Sequence, residues 1–426
     1  MSDHEGKTMN KKAILFGVKT PDAVDFDNSI SETAELMKAC GLDVMQIITQ
    51  AYSSTRTPHY IGQGKITELI TACEAQEAVV AVAAHELTGS QMRNLQELIP
   101  VEIIDRTQLI LTIFAERAQT SEAKIQVEMA NLQYQLPRIN STKLSQERQQ
   151  GGGVRNRGTG ETRTEIDKRR LESKLQELHE LLDAMEIQRS TQRKRRKKQQ
   201  LQTVAIVGYT NSGKSTLLNA MLTQYQGQTD KSVLEKDMLF ATLQTSARRI
   251  TLPNRRDIIL TDTVGFVSSL PHTLIKAFRS TLEEVKEADL LLHVVDYSNP
   301  NHENQAKVTL DTLKEIGAAD IPLLTIFNKI DKVEGPIPEP TEDTVFISAV
   351  NRLNLDLLAQ KIIENLGSQL ETITFFITYQ HEAIRAEIMN KLEVLKSESN
   401  DEGTLLTVRA SKQQLDQYST YIFDEK

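Results

Sequence analysis

Gly208-Tyr209-Thr210-Asn211-Ser212-Gly213-Lys214-Ser215-Thr216 follows an apolar, strand-like run at 204–207 and opens a helical run at 216–222. Strand, glycine-rich turn and helix in that order predict a phosphate loop. Backbone N–H groups of the turn and of the helix N-terminus face one concavity and can cradle the phosphates of a nucleotide. Lys214 can reach the β- and γ-phosphates, and the Ser215 hydroxyl can bind Mg²⁺.

The residues downstream choose the nucleotide. A short strand at 258–260 leads into Asp262, Thr263, Val264 and Gly265, which sets a carboxylate near the metal and a glycine near the γ-phosphate. Apolar runs at 290–295 and 323–327 predict two more buried strands, the second ending in Asn328-Lys329-Ile330-Asp331. The Asp331 carboxylate can accept both the ring N–H and the exocyclic amine of guanine, a pattern adenine does not present. A strand at 345–347 then delivers Ser348, Ala349 and Val350, whose backbone N–H groups can meet the guanine carbonyl. The ligand is expected to be GTP or GDP.

Each of these motifs closes a predicted strand, as at the ligand-binding edge of a doubly wound, mostly parallel α/β sheet. Residues 201–366 are therefore expected to form a P-loop GTPase domain, similar to the translation-factor class. Phe240, Ala241, Thr242 and Leu243 fall where the first switch threonine sits. There Thr242 would sense the γ-phosphate and join Ser215 on the metal. Lys214, Thr242, Asp262 and Gly265 are the expected catalytic set. After Gly265 comes Phe266, where Ras-type GTPases carry the glutamine that orients the attacking water. A phenylalanine side chain neither donates to nor accepts from that water, so the chain alone is expected to hydrolyse GTP slowly.

With 426 residues and 39% hydrophobic content the chain can form several cored domains. Its N-terminus is polar, and no run is long enough for a signal peptide or a membrane span, so a cytoplasmic protein is expected. The two cysteines, Cys40 and Cys73, lack metal-ligand spacing and read as buried thiols. Charge is uneven. Residues 138–200 hold 17 Lys and Arg against 9 Asp and Glu, whereas the whole chain carries −8. One basic segment on an acidic protein points to a polyanion met at one place, most simply nucleic acid.

Residues 11–105 alternate strand-like runs (13–18, 44–48, 79–83, 101–104) with helical patterns (31–40, 65–75, 90–99), predicting a small α/β domain. Within it, Gly62-Gln63-Gly64-Lys65 resembles part of a phosphate loop. It can hold a second nucleotide or an RNA phosphate, or simply turn the chain into a helix.

Residues 106–200 read as an arm. Leu111, Phe114, Ala118, Ile125, Met129, Leu132 and Leu136 keep a three-four spacing, as do Leu171, Leu175, Leu178, Leu182 and Met185. Two long helices folded as an antiparallel hairpin bury both stripes within a monomer. Intermolecular coiled-coil pairing is the rival use. The first helix, at ~1.5 Å per residue, would run on the order of 45 Å. Its tip, 137–161, carries Arg138, Lys143, Arg148, Arg155 and Arg157 among five glycines, suited to close contact with RNA phosphates and bases. Thr162 and Glu165 supply a capping box for the second helix. Residues 189–198 then pack seven basic residues into ten.

Taken with the GTPase motifs, the 60–65 run Tyr-Ile-Gly-Gln-Gly-Lys, Asp105-Arg106-Thr107, Gln126-Val127-Glu128, Leu136-Pro137-Arg138, the Gly158 to Thr162 run and Phe240-Ala241-Thr242-Leu243 resemble the HflX family of ribosome-associated GTPases. The resemblance covers roughly 13–366. It implies a cytoplasmic GTPase that binds the large ribosomal subunit and its rRNA, inserts its tip toward the peptidyl-transferase region and splits stalled or idle ribosomes. Gln244, where the family usually has aspartate, and Asn156 in the tip depart from the pattern. A GTP-gated RNA-binding assembly factor is the alternative reading of the same residues. Residues 368–426 are expected to add a small α+β domain with a strand at 372–378, a helix at 382–395 and a strand at 404–409.

Overall fold

The computed structural model of the protein describes residues 10–21, 26–51, 55, 57–142, 163–198, 201–226, 246–253, 257–263, 265–267, 285–367, 370–411, 415 and 417–423. Lys143, Arg148, Arg155, Arg157, Phe240, Ala241, Thr242, Leu243 and Val264 lie outside the described residues, as do Asn156, Thr162 and Gln244.

Three sheets organise the described chain. The first is four parallel strands, β1 (Lys11–Lys19), β2 (Leu42–Ala51), β3 (Val80–Ala83) and β4 (Glu102–Asp105), in the order β2-β1-β3-β4. Helices α1 (Phe26–Ala39), α2 (Gln63–Gln76) and α3 (Gly89–Leu98) connect them. Parallel strands need such crossovers, and the near-continuous apolar runs of β1 and β3 fit a sheet covered on both faces. Gly62 precedes the first residue of α2 and its N–H donates to Gln50 Oε1 at 2.8 Å, so the partial glycine motif turns the chain into a helix. Cys73 is buried, and Cys40, half-buried, has its thiol pushed up to about 12, chiefly by burial.

The first arm helix is shorter than its stripe suggests. The apolar periodicity continues across 107–136, but the chain breaks at 118–120 into α4 (Arg106–Arg117) and α5 (Ser121–Thr142). Ala118 leaves the helical region at ψ 105°, and Thr120 Oγ1 accepts the Ala123 N–H at 3.2 Å, which caps the new helix. Leu111 and Phe114 of α4 are therefore core residues of the first sheet, together with Leu109, Ile110 and Ile113. Helix α5 is shared between two surroundings. Ala123, Val127, Ala130 and Tyr134 join that core, while Ile125, Met129 and Leu132 pack on Leu171, Leu175, Leu178 and Leu182 of α6 (Arg163–Lys198). Pro137, the first residue of the expected tip, lies inside α5.

The second sheet has six strands in the order β10-β9-β8-β5-β7-β6: β5 (Gln202–Gly208), β6 (Ser246–Thr251), β7 (Asp257–Asp262), β8 (Leu290–Asp296), β9 (Leu323–Asn328) and β10 (Thr344–Phe346). All pairings are parallel except β6 on β7. Helices α7 (Lys214–Gln226), α8 (His302–Glu315) and α9 (Leu355–Gly367) cover it, with separate apolar clusters on its two faces. Central β5 carries the phosphate loop at its carboxyl end.

The third sheet, β11 (Leu370–Thr378), β12 (Glu393–Ser399) and β13 (Gly403–Ser411), is antiparallel in the order β11-β13-β12 and is backed by α10 (Glu382–Lys391). The helix expected at 382–395 stops at Lys391, and Glu393 begins an edge strand instead. Asn400 Oδ1 accepts the N–H groups of Glu402 and Gly403 at 3.0 and 2.8 Å, a side-chain turn that folds β12 back onto β13.

Candidate active site

The loop between β5 and α7 is held by its neighbours before any ligand enters. Asn328 Nδ2 donates to Ser212 O at 2.9 Å, and Lys329 Nζ donates to Asn211 O and pairs with Asp296 Oδ2, both at 2.7 Å. The base-recognition segment thus braces the phosphate loop directly. Gly213, at φ +94°, is required on two counts: its backbone is left-handed, and a Cβ there would collide with Asn328 Nδ2. Asp296, which the sequence alone does not single out, is the carboxylate that holds Lys329 in this position.

Lys214 is buried, and its ammonium donates to Tyr209 O at 2.7 Å. Burial depresses its pKa from 10.5 to about 8; Asp262 opposes the shift and Lys329 adds to it. A buried cation of this kind gains most from an arriving phosphate, which restores the charge balance lost to desolvation. Gly265 lies against it. A Cβ on Gly265 would stand 2.9 Å from Lys214 Nζ and 2.9 Å from Thr210 Cα, so the segment after β7 and the phosphate loop approach as closely as backbone permits.

Ser215 Oγ donates to Asp262 Oδ2 at 2.8 Å, and Asp262 is fully buried. Two hard oxygens beside the phosphate cradle suit Mg²⁺, which takes one or two protein oxygens and completes its shell with phosphate and water. Among the described residues there is no group of three or more His, Cys, Asp or Glu that could hold a metal ion. Thr263, expected at the nucleotide, donates its hydroxyl to Ile206 O at 2.7 Å and ties β7 to β5.

At the base end, Ser348 Oγ donates to Asp331 Oδ1 at 2.5 Å, which orients the carboxylate. Ala349 N–H, expected on the guanine carbonyl, donates here to Asn328 Oδ1 at 3.0 Å. Val350 is exposed. Stacked Phe327 and Phe346, with centroids 4.9 Å apart, and Tyr297 edge-on at 5.5 and 5.3 Å form an aromatic floor along β9 and β10.

Phe266 has a structural place. It packs with Ala205, Val207, Val285 and Leu291 on one face of the GTPase sheet, and its backbone pairs with the phosphate loop: Thr210 N–H donates to Phe266 O at 2.7 Å, and Phe266 N–H to Gly208 O at 3.1 Å. Val267, the next residue, is buried in the core of the first sheet. The arm's Arg138, expected on RNA, is committed to the root of the arm. Its guanidinium donates to Leu87 O at 2.6 Å and Tyr134 O at 2.7 Å, lies 3.4 Å over the Tyr134 ring and pairs with Asp105 at 3.3 Å.

A phosphate loop on the central strand, the Ser215–Asp262 pair and an aspartate at the base end of a mostly parallel sheet define a P-loop GTPase. Residues 27–115, 117–196 and 203–329 match family models described as GTP-binding GTPase N-terminal, GTP-binding GTPase Middle Region and 50S ribosome-binding GTPase. The chain belongs to the HflX family of GTPases and is a GTP-hydrolysing enzyme. It is 41% identical to GTPase HflX of Caldanaerobacter subterraneus subsp. tengcongensis over 92% of this chain and 89% of that one. It is 34% identical to GTPase HflX of Escherichia coli K12 over 93% and 92%. Among solved structures, a GTP-binding protein from Sulfolobus solfataricus in complex with GDP is 27% identical, covering 84% of this chain and 99% of its own, with a TM-score of 0.44. No helix among the described residues is long and apolar enough to cross a membrane.

Proposed function

We propose that the protein binds the large ribosomal subunit in the cytoplasm through the tip of its arm, and uses GTP binding and hydrolysis to split or rescue stalled or idle ribosomes. The observation that carries this reading is the joining of a GTP site to a rooted helical arm. Arg138 and α5 anchor that arm in the first sheet, and the basic surplus of the chain lies along it. Lys143, Arg148, Arg155 and Arg157 are the proposed RNA contacts, and off the ribosome the chain acts as a monomer.

In the site, the phosphate-loop N–H groups and Lys214 hold the β- and γ-phosphates, and Asp331 reads guanine. Ser215, Asp262 and Thr242 would hold Mg²⁺, which would supply positive charge to offset that of the phosphates. Gly265 N–H meets the γ-phosphate. Phe266 cannot orient water, so the order around Thr242, a catalytic group, or both come from the bound subunit.

Two measurements test this reading. In sedimentation of vacant ribosomes with the protein and a non-hydrolysable GTP analogue, separation into subunits is the expected result. Co-sedimentation without separation would favour an assembly factor. Replacing Arg155 and Arg157 by Ala is expected to remove about two phosphate contacts, weakening ribosome affinity and flattening its log–log salt slope by roughly 1.5. GTP affinity should stay put. An unchanged slope would reduce the tip to a linker.

A further inference from the structure

The phosphate loop's second residue packs its side chain inside the protein. Tyr209 is buried, and its hydroxyl donates to Glu32 Oε1 of α1 at 2.5 Å, across the boundary between the GTPase sheet and the first sheet. The other oxygen of Glu32 pairs with Arg106 Nη2 at 2.7 Å, with only 12% and 5% of the two side chains exposed. Arg106 Nη1 also donates to Thr33 Oγ1 at 3.0 Å. Arg106 opens α4, and the residue before it, Asp105, accepts Arg138 of the arm at 3.3 Å. Tyr209, Glu32 and Arg106 and, one residue back along the chain, Asp105 and Arg138 therefore lead from the phosphate loop to the root of the arm.

Both ends of this path have reason to move together. Gly265 lies against Lys214, the residue expected at the β- and γ-phosphates, and Phe266 is hydrogen-bonded on both sides of Tyr209, to Gly208 and Thr210. Val267, one residue on, is already seated in the core that α5 shares. There is no slack at Gly265, where even a methyl group would crowd Thr210. A shift of this segment must reach Tyr209 and the first sheet, because closely packed elements move as units.

We propose that Tyr209 and Glu32 are positioning residues that transmit the nucleotide state of the GTPase site through Arg106 to the root of the arm, so that GTP and GDP set different arm orientations. The proposal concerns the free protein and does not depend on what the arm binds.

The test uses the full chain with Cys40 and Cys73 replaced by Ala and spin labels on Glu172→Cys in α6 and Glu303→Cys in α8, both exposed positions. Electron–electron distances are measured at saturating GDP and at a saturating non-hydrolysable GTP analogue. The parent should show two different mean distances. Tyr209→Phe, which deletes only the linking hydroxyl, should shrink that difference at least twofold. Glu32→Met cuts the path from the other side and should do the same, with circular dichroism reporting that each variant is folded. A full-sized difference in Tyr209→Phe, or no difference in the parent, overturns the proposal. Either result leaves the ribosome reading to its own sedimentation test.

Discussion

Glu32→Ala is expected to destabilise the protein by about 3 kcal/mol, because it strips the Arg106 guanidinium of its carboxylate inside the fold. Arg106 keeps oxygens of Ser29 and Thr33 within 3.0 to 3.4 Å, which holds the loss at the lower end of the range for a broken buried pair. A surface pair supplies the control. Lys38 and Glu35 are 63% and 60% exposed in their side chains, so Lys38→Ala should change stability by no more than about 0.5 kcal/mol. Urea unfolding followed by circular dichroism separates the two. Equal effects would mean that the Glu32 pair is solvated in solution.

Asp331→Asn is expected to cost about 2 to 4 kcal/mol of guanine-nucleotide affinity, on the order of a hundredfold in Kd. The carboxylate can accept two N–H bonds from guanine, whereas an amide turns an N–H toward one of those donors. Ser348 Oγ fixes which carboxylate oxygen is already engaged, so the side chain cannot rotate away from the mismatch without losing that bond. Xanthine carries a carbonyl where guanine carries its amine, so the variant should recover affinity for xanthosine diphosphate. Titration with fluorescent GDP and its xanthine counterpart measures both. Unaltered GDP binding would remove Asp331 from base recognition.

Much of the nucleotide site is legible in the chain because its chemistry is done by backbone at fixed spacing. Gly213 admits no side chain, Lys214 and Ser215 open a helix, and Asp262 and Asn328 end strands whose apolar runs are evident. Strand β6 was not legible. Its Ser-Ala-Arg-Arg-Ile-Thr sequence lacks a continuous apolar run, and its pairing rests on cross-strand partners such as Asp257, which accepts from Thr251 Oγ1 at 2.6 Å. The arm's first helix was read too long because Ala118 continues the three-four stripe while the break is decided by the cap at Thr120. Likewise the helix-forming residues after Lys391 gave no sign that β13 would take Glu393 to Ser399 as an edge partner. Glu32, Arg106 and Tyr209 show the same limit at long range. Glu32 and Arg106 lie 74 residues apart and Glu32 and Tyr209 lie 177 apart, in no shared motif, and only tertiary packing makes them neighbours.

Slow hydrolysis by the free protein is the expected behaviour, since Phe266 is buried as a packing residue and its side chain offers nothing to an attacking water. Single-turnover GTP hydrolysis with and without purified large ribosomal subunits tests it most directly. Slow turnover alone and stimulation of at least ~10-fold by the subunit are expected, a modest part of what a supplied catalytic group can contribute. A fast rate in isolation that the subunit leaves unchanged would contradict both expectations.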